Sequence, residues 1–138
     1  MAHRWAKLRR TLVELRVVLE RGATDLSTVR ATLRTALAAN GCRVDHDQAV
    51  LLANELVVNA LRHGEPSPIE VVVQLRPASL RVQVSDRSPS PPVPIDPGEW
   101  DEHGRGLLLV RELATAWGSS PIPGDGKAVW FETSGEEQ

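Results

Sequence analysis

The sequence predicts an α+β fold, in which helices pack on one face of a mixed, mostly antiparallel sheet as a two-layer sandwich. Three observations indicate it. Two helical segments follow each other early in the chain, two alternating segments then form a hairpin, and a short apolar run lies near the C-terminus. The chain of 138 residues is long enough for one domain with a substantial core. We therefore expect a single domain over residues 1–138.

Composition and charge argue against several classes of function. The formal net charge of −2 disfavours nucleic acid as the main partner, because binding to phosphates requires an excess of basic residues. We expect neither a signal peptide nor a membrane-spanning segment, because no apolar run is long enough to span a bilayer. Cys42 is the single cysteine, so no internal disulfide can form and a reducing compartment fits best. We expect a cytoplasmic protein that binds neither nucleic acid nor membrane.

The N-terminal segment 1–19 is ambiguous between a strand and a helix. Its leucines recur at helical spacing, but apolar residues also alternate at Val13, Leu15, Val17 and Leu19. The β-branched content favours a strand over 11–19.

Two helices are predicted next. The first covers about 26–39, with Asp25 as the N-cap and Asn40-Gly41 as the stop signal. The second begins near Asp45, whose spacing to Gln48 resembles a capping box, and ends at Gly64.

The second half of the chain predicts a hairpin, a long loop, a third helix and a final strand. Residues 69–75 and 80–84 alternate in polarity on either side of a turn at 76–79, so we expect two antiparallel strands with one buried face. Five prolines in 87–103 predict a lid or a disordered excursion. A helix over 107–117, a loop over 119–127, a buried strand over 128–132 and a frayed tail over 134–138 complete the prediction.

The second helix carries the strongest functional signal. Glu55, Asn59 and His63 recur every four residues, so they form a polar stripe on one face of an otherwise apolar helix. A helix that is apolar almost all round is buried on most sides, so its polar stripe must meet partners or line a cavity. The stripe is therefore a candidate active site.

Glu55 and Asn59 suit the chemistry of a magnesium nucleotide. Mg²⁺ takes hard oxygen ligands and uses few protein groups beside substrate phosphates, and an asparagine carbonyl can be one of them. A carboxylate one turn earlier could accept a proton from the group that attacks the γ-phosphate. The alternative is structural: Glu55 pairs with Arg62 and Asn59 is only tolerated. From the stripe alone, the two interpretations are about equal.

Two further features accompany the stripe. Gly104-Arg105-Gly106 precedes a helix, where glycines and a helix N-terminus can approach an anion closely, although an isolated motif of this kind is more often an ordinary turn. Asp86 ends a strand at the start of the lid. It could accept a hydrogen bond from the exocyclic amine of adenine, although an aspartate there more often forms a turn.

Together these motifs resemble the GHKL (Bergerat-fold) ATPase domain, and within it the RsbW-like anti-sigma-factor serine/threonine kinases. The resemblance extends from the first strand to Phe131. The pattern Glu55, Asn59 and His63 matches the N box of the family, Asp86 matches its adenine-binding aspartate, and the glycine-rich phosphate turn is matched at 104–107.

The resemblance implies a fold, an activity and partners. ATP and Mg²⁺ would lie between helices and lid, and the γ-phosphoryl group would pass to a serine or threonine of a small antagonist protein. A sigma factor would be the second partner, and family members are commonly homodimers. Glu55 would be the general base, Asn59 the Mg²⁺ ligand and Asp86 the adenine contact. His63 belongs to the same nucleotide-binding motif, and the phosphates would be held by Gly104, Arg105, Gly106 and Leu107.

The chain differs from the family pattern in two places. The family motif Asp-x-Gly-x-Gly reads here as Asp86 followed by Arg87-Ser88-Pro89-Ser90, and Ala128 replaces a threonine that supports the aspartate. We expect each difference to weaken adenine binding by about 1–2 kcal/mol, roughly ten-fold.

These differences leave two alternatives to the kinase open. One is a non-catalytic module of the same fold that binds partners with weakened or lost ATP binding. The other is the ATPase domain of a histidine kinase or a simple ATP hydrolase. It ranks last, since no phosphoacceptor helix pair fits before residue 20.

Overall fold

The computed structural model describes residues 12–20, 25–63, 68–86, 105–122 and 126–135, with the backbone alone at 63, 105–108 and 122. Three helices and five strands lie within these ranges. The helices are α1 (Leu26–Ala39), α2 (His46–His63) and α3 (Arg105–Leu113). The strands are β1 (Val13–Leu19), β2 (Ile69–Arg76), β3 (Ser79–Asp86), β4 (Ala116–Ile122) and β5 (Gly126–Ser134).

The five strands form one sheet in the order β1-β2-β3-β5-β4, and every pairing is antiparallel. The predicted two-layer α+β class is confirmed, and the sheet contains no parallel pair within the described ranges. Two ends of the sheet are useful as landmarks. We call the end at the β2–β3 turn, where Arg76 pairs with Ser79, the hairpin end. We call the opposite end, where Asp86 pairs with Ile69 and Lys127, the far end.

The core lies between one face of the sheet and the helices. Because side chains alternate along a strand, every second residue faces α1 and α2, and these residues are nearly all apolar. The largest fully buried side chains of this core come from both layers. They include Leu37, Leu52 and Leu56 of the helices and Ile69, Leu75, Leu80 and Phe131 of the sheet. Burying such side chains stabilises the fold by about 1.5–3 kcal/mol each before entropy is counted, which explains why this face needs a helical layer.

The other face of the sheet carries polar side chains that satisfy one another. Arg16 lies 3.2 Å from Glu14, and Gln74 donates to Glu14 at 2.9 Å; these contacts lower the pKa of Glu14, with Gln74 the larger cause. Arg81 pairs with Glu132 at 3.2 Å and lies 4.4 Å from the ring centre of Trp130. Among the residues that the structure describes, no helix packs on this face, and the network of polar side chains lies there instead.

The helix boundaries follow local signals in the sequence. Asp25 caps α1 as predicted: its carboxylate accepts hydrogen bonds from the Ser27 hydroxyl and from the backbone N–H groups of Ser27 and Thr28, which lowers its pKa. α1 ends at Asn40, and Gly41 follows with φ of +59°. Asp45 caps α2, because its carboxylate accepts from the backbone N–H of Gln48 at 3.0 Å.

The prediction for 107–127 was wrong. α3 ends at Leu113, not at Trp117, and the predicted loop that follows contains most of strand β4. β4 lacks an alternating apolar pattern, so nothing local marks it as a strand. It forms because β5 would otherwise leave an unpaired backbone edge, and an edge strand tolerates Gly118 and Pro121.

The remaining boundaries differ by a few residues from the prediction. β1 confirms the strand interpretation of 11–19, and β5 extends beyond the predicted 128–132 at both ends. Ser134 still belongs to β5, and Gly135 donates its backbone N–H to Ala78 at 2.7 Å, so the tail is ordered further than expected. Residues 136–138 and the predicted lid at 87–103 lie outside the described residues.

Candidate functional site

α2 runs along the sheet from the hairpin end to the far end. The segment before α2 lies at the hairpin end, because the backbone N–H of Arg43 donates to Pro77 at 2.8 Å. α2 has 18 residues and is therefore about 27 Å long, which matches the length of the eight-residue strands beneath it. It contacts β2, β3 and β5. Its C-terminal half, with Asn59 and His63, therefore lies towards the far end.

The polar stripe is only partly buried. Asn59 is 9% exposed, in the midst of the apolar core, and Glu55 is half-buried one turn earlier. His63 is the last residue of α2, and only its backbone is described. A buried carboxamide and a half-buried carboxylate on adjacent turns can offer oxygen atoms to a cation or to a proton in transfer.

The structure also bears on the structural interpretation of Glu55. Within the described ranges, no hydrogen bond or ion pair joins the side chain of Glu55 to Arg62 or to another residue. Arg62 has a partner of its own. The position of Glu55 in the helix is thus not explained by an ion pair with Arg62.

Asp86 is buried at the far end of the sheet. It is 3% exposed, and it lies on the helix-facing side because Val82 and Val84 of the same strand belong to the core. A carboxylate is rarely buried so fully without a role for its oxygen atoms. Asp86 and the C-terminal half of α2 therefore border the same end of the two-layer sandwich.

The first turn of α3 contains most of the predicted phosphate turn. Arg105, Gly106 and Leu107 form the first turn of α3, while Gly104 lies outside the described residues. α3 packs against α2, and the short connection through Thr115 leads into β4 at the hairpin side, where the Thr115 N–H donates to Glu132 at 2.7 Å. The C-terminal end of α3 therefore lies at the hairpin side, next to the start of β4.

The register corrects one assignment made from the sequence. Lys127, not Ala128, lies directly opposite Asp86, whereas Ala128 pairs with Ser85 and faces the other side of the sheet. Lys127 is in phase with the core residues Val129 and Phe131, so it lies on the helix-facing side together with Asp86.

An apolar cleft lies elsewhere, between β1 and α1. It has a volume of about 400 Å³ and is lined by residues that include Leu15, Val29, Leu33 and Val71. None of the predicted site residues lines it, so it is separate from the candidate site.

No helix in the described part of the chain is long and apolar enough to cross a membrane.

Comparison with known proteins agrees with this geometry. One similar structure contains the RsbU and RsbW domains of Rv1364c from Mycobacterium tuberculosis, with 23% identity and a TM-score of 0.64 over 91% of this chain. The matched region is 33% of that protein, so the chain corresponds to about a third of it. A second is the histidine kinase AdeS of Acinetobacter baumannii, with 13% identity and a TM-score of 0.51, covering 99% of this chain and 79% of that one.

At these identities, the structural likeness concerns the fold. No curated protein is similar enough in sequence to match. The family model for the histidine kinase-like ATPase domain matches residues 19–132, which span α2 and every predicted site residue. The chain belongs to the histidine kinase-like ATPase domain family.

Proposed function

We propose that the protein is an ATP-dependent serine/threonine kinase that acts as an anti-sigma factor and phosphorylates a small antagonist protein. One observation carries the proposal: the Glu55–Asn59 pair sits one turn apart on a buried helix that leads to the end of the sheet where Asp86 is buried. Within the described residues, no side-chain hydrogen bond or ion pair accounts for the two groups, whereas a phosphoryl-transfer site needs both of them.

Each residue has a distinct task in this proposal. Asn59 holds Mg²⁺ through its carbonyl oxygen, and Asp86 accepts a hydrogen bond from the amine of adenine. His63 belongs to the nucleotide-binding surface, and the phosphates are held by Gly104, Arg105, Gly106 and Leu107 at the start of α3, where backbone N–H groups are unpaired. Glu55 accepts the proton of the attacking hydroxyl. Mg²⁺, when bound, neutralises charge on the phosphates.

The proposed partners are a sigma factor, its antagonist protein and a second copy of the chain. β1 is an edge strand of the sheet as far as the described residues go, and it exposes 37% of Val17 and 60% of Val18, which supports a protein-binding role. We place the activity in the cytoplasm, where ATP is available and Cys42 stays reduced.

A non-catalytic binding module is the second candidate. It is favoured by the sequence after Asp86, which has Ser88 and Ser90 where the family pattern has glycines. A side chain at these positions hinders close approach of the backbone to a nucleotide. In that case, the protein would capture its regulator with an affinity that ATP does not change.

One labelling experiment separates the candidates. The purified protein is incubated with Mg²⁺, γ-labelled ATP and candidate antagonist proteins, and the labelled residue is identified by mass spectrometry. Label on a serine or threonine of one antagonist is the expected result. Label on a histidine of the chain itself would indicate a histidine kinase. Capture of a regulator without label, at equal strength with and without ATP, would indicate the binding module.

A further inference from the structure

Asp86 and Lys127 form a cross-strand pair of opposite charge at the far end of the sheet. They are directly opposite each other in the antiparallel β3–β5 ladder. Their side chains point to the helix-facing side, because the next pair along the ladder on that side is Val84 with Val129, which belongs to the core. Directly opposite residues place their Cβ atoms about 4.5–5.5 Å apart, so the two functional groups share one neighbourhood.

The Asp86 carboxylate and the Lys127 ammonium differ in whether they already have an interaction partner. Asp86 is 3% exposed and has a partner of its own, but a carboxylate has about four lone-pair sites and can accept more than one hydrogen bond. Lys127 is half-buried, and no hydrogen bond or ion pair of its ammonium is found within the described ranges. An ammonium that is partly withdrawn from water, with three donors to satisfy, favours a ligand that brings an acceptor.

The chemistry of the pair matches one edge of a purine. A carboxylate beside an ammonium offers an acceptor and a donor at neighbouring positions. The Watson–Crick edge of adenine offers the complement, since its exocyclic amine donates and its ring nitrogen N1 accepts. The pair can therefore read two adjacent atoms of the same base, whereas Asp86 alone reads only the amine.

We propose that Lys127 is a specificity-determining residue of the nucleotide site: its ammonium donates to N1 of adenine while Asp86 accepts from the amine. This inference rests on the proposed function, since it requires an adenine nucleotide at the far end of the sheet.

The test compares ADP with 1-deaza-ADP, in which a C–H group replaces N1, by calorimetry in the presence of Mg²⁺. The unaltered protein is expected to bind ADP about ten-fold more tightly, the loss expected for one hydrogen bond to a charged donor. Lys127→Met is expected to bind the two nucleotides equally, and Lys127→Arg to retain part of the preference because it keeps a charged donor. Arg76→Met is the matched control, since it removes a positive charge at the hairpin end and should leave the preference unchanged.

The possible failures are distinguishable. If Lys127→Met keeps the full preference for ADP, or if the unaltered protein binds both nucleotides equally, Lys127 does not read N1, although the proposed ATP site stands. If the unaltered protein shows no saturable binding of ADP, both the inference and the proposed site are overturned.

Discussion

At the level of single residues, the proposed kinase mechanism requires Glu55 and Asn59 to have separate tasks. Asn59 is buried where it can bind a cation, whereas Glu55 is half-buried where it can exchange a proton. Removing a metal ligand weakens nucleotide binding, whereas removing a general base slows the chemical step. Single substitutions can therefore tell them apart.

Removing the carboxylate of Glu55 should stop catalysis and leave binding intact. For Glu55→Ala, we expect phosphoryl transfer to fall by about 10²–10⁴-fold, the usual contribution of a general base, with ATP affinity nearly unchanged. The measurements are the rate of label transfer and the dissociation constant of ATP. Glu132→Ala, on the opposite face of the sheet, is the control and should transfer label normally. Unchanged transfer by Glu55→Ala would remove Glu55 from the mechanism.

We expect a substitution at Thr133 to change the stability of the protein rather than its activity. The Thr133 hydroxyl is buried without a hydrogen-bond partner, and it is the single such side-chain atom within the described residues. Thr133→Val keeps the shape and removes the unsatisfied group, so we expect the free energy of unfolding to rise by about 1 kcal/mol in urea denaturation. Thr35→Val, at an exposed position of α1, should change it little. A loss of stability in Thr133→Val would show that the hydroxyl has a partner.

Individual residues could be assigned from the sequence where the signal was local. The stripe on α2 needed only helical periodicity, and the N-cap at Asp25 needed only its position before a helix. Lys127 could not be paired with Asp86 before the register was known, because strands distant in sequence set that pairing. The sequence analysis gave Ala128 the place of a threonine that supports Asp86, but Ala128 pairs with Ser85 and lies on the opposite face of the sheet.

At the scale of elements, β4 depends on a contact that the sequence did not reveal. The Trp130 side chain lies across β4 at Gly118, where an added Cβ would be 2.8 Å from the Trp130 ring atom Cζ2. Gly118 therefore allows β4 to pair with β5 while Trp130 covers it on the outer face of the sheet. This packing of Trp130 over Gly118 joins two distant segments, so neither residue alone indicates it. For that reason the sequence of 116–122 did not resemble a strand.

Filling that space should destabilise the edge of the sheet. For Gly118→Ala, we expect the free energy of unfolding to fall by about 1–3 kcal/mol, because the Trp130 ring must move. The same change in a Trp130→Leu background should cost much less, as a double-mutant cycle in urea denaturation would measure. Equal costs in the two backgrounds would mean that the ring is not the obstacle.

The hairpin and the first two helices were predictable because their signals are short-range. Alternation over 69–75 and 80–84 and a turn at Pro77-Ala78 determine β2 and β3 together. α3 was predicted over 107–117, but it begins two residues earlier, at Arg105, and ends four residues earlier, at Leu113. The prediction ran too far because apolar residues continue into Ala114 and Ala116 without a stop signal. Pairing with β5, rather than helical propensity, decided the boundary.

At the scale of the whole molecule, separate segments bring polar groups to one end of the sandwich. α2 leads Asn59 towards the far end, β3 ends there with Asp86, and β5 begins there with Lys127. The rest of the helix-facing side is mainly apolar core within the described residues, although Thr133 is buried there as well. Within the described residues, this polar end is where we propose that a charged ligand binds, and membership of the histidine kinase-like ATPase domain family implies binding of ATP.

The proposed kinase function requires ATP and Mg²⁺ to bind at this end through Asn59. The most direct measurement is calorimetric titration of the purified protein with ATP, with and without Mg²⁺, for the unaltered chain and for Asn59→Ala. The account predicts saturable binding at micromolar to sub-millimolar ATP (about −5 to −8 kcal/mol). In Asn59→Ala, it should weaken roughly ten-fold or more when Mg²⁺ is present and change little when it is absent. No saturation near millimolar ATP, or an equal loss with and without Mg²⁺, would contradict it.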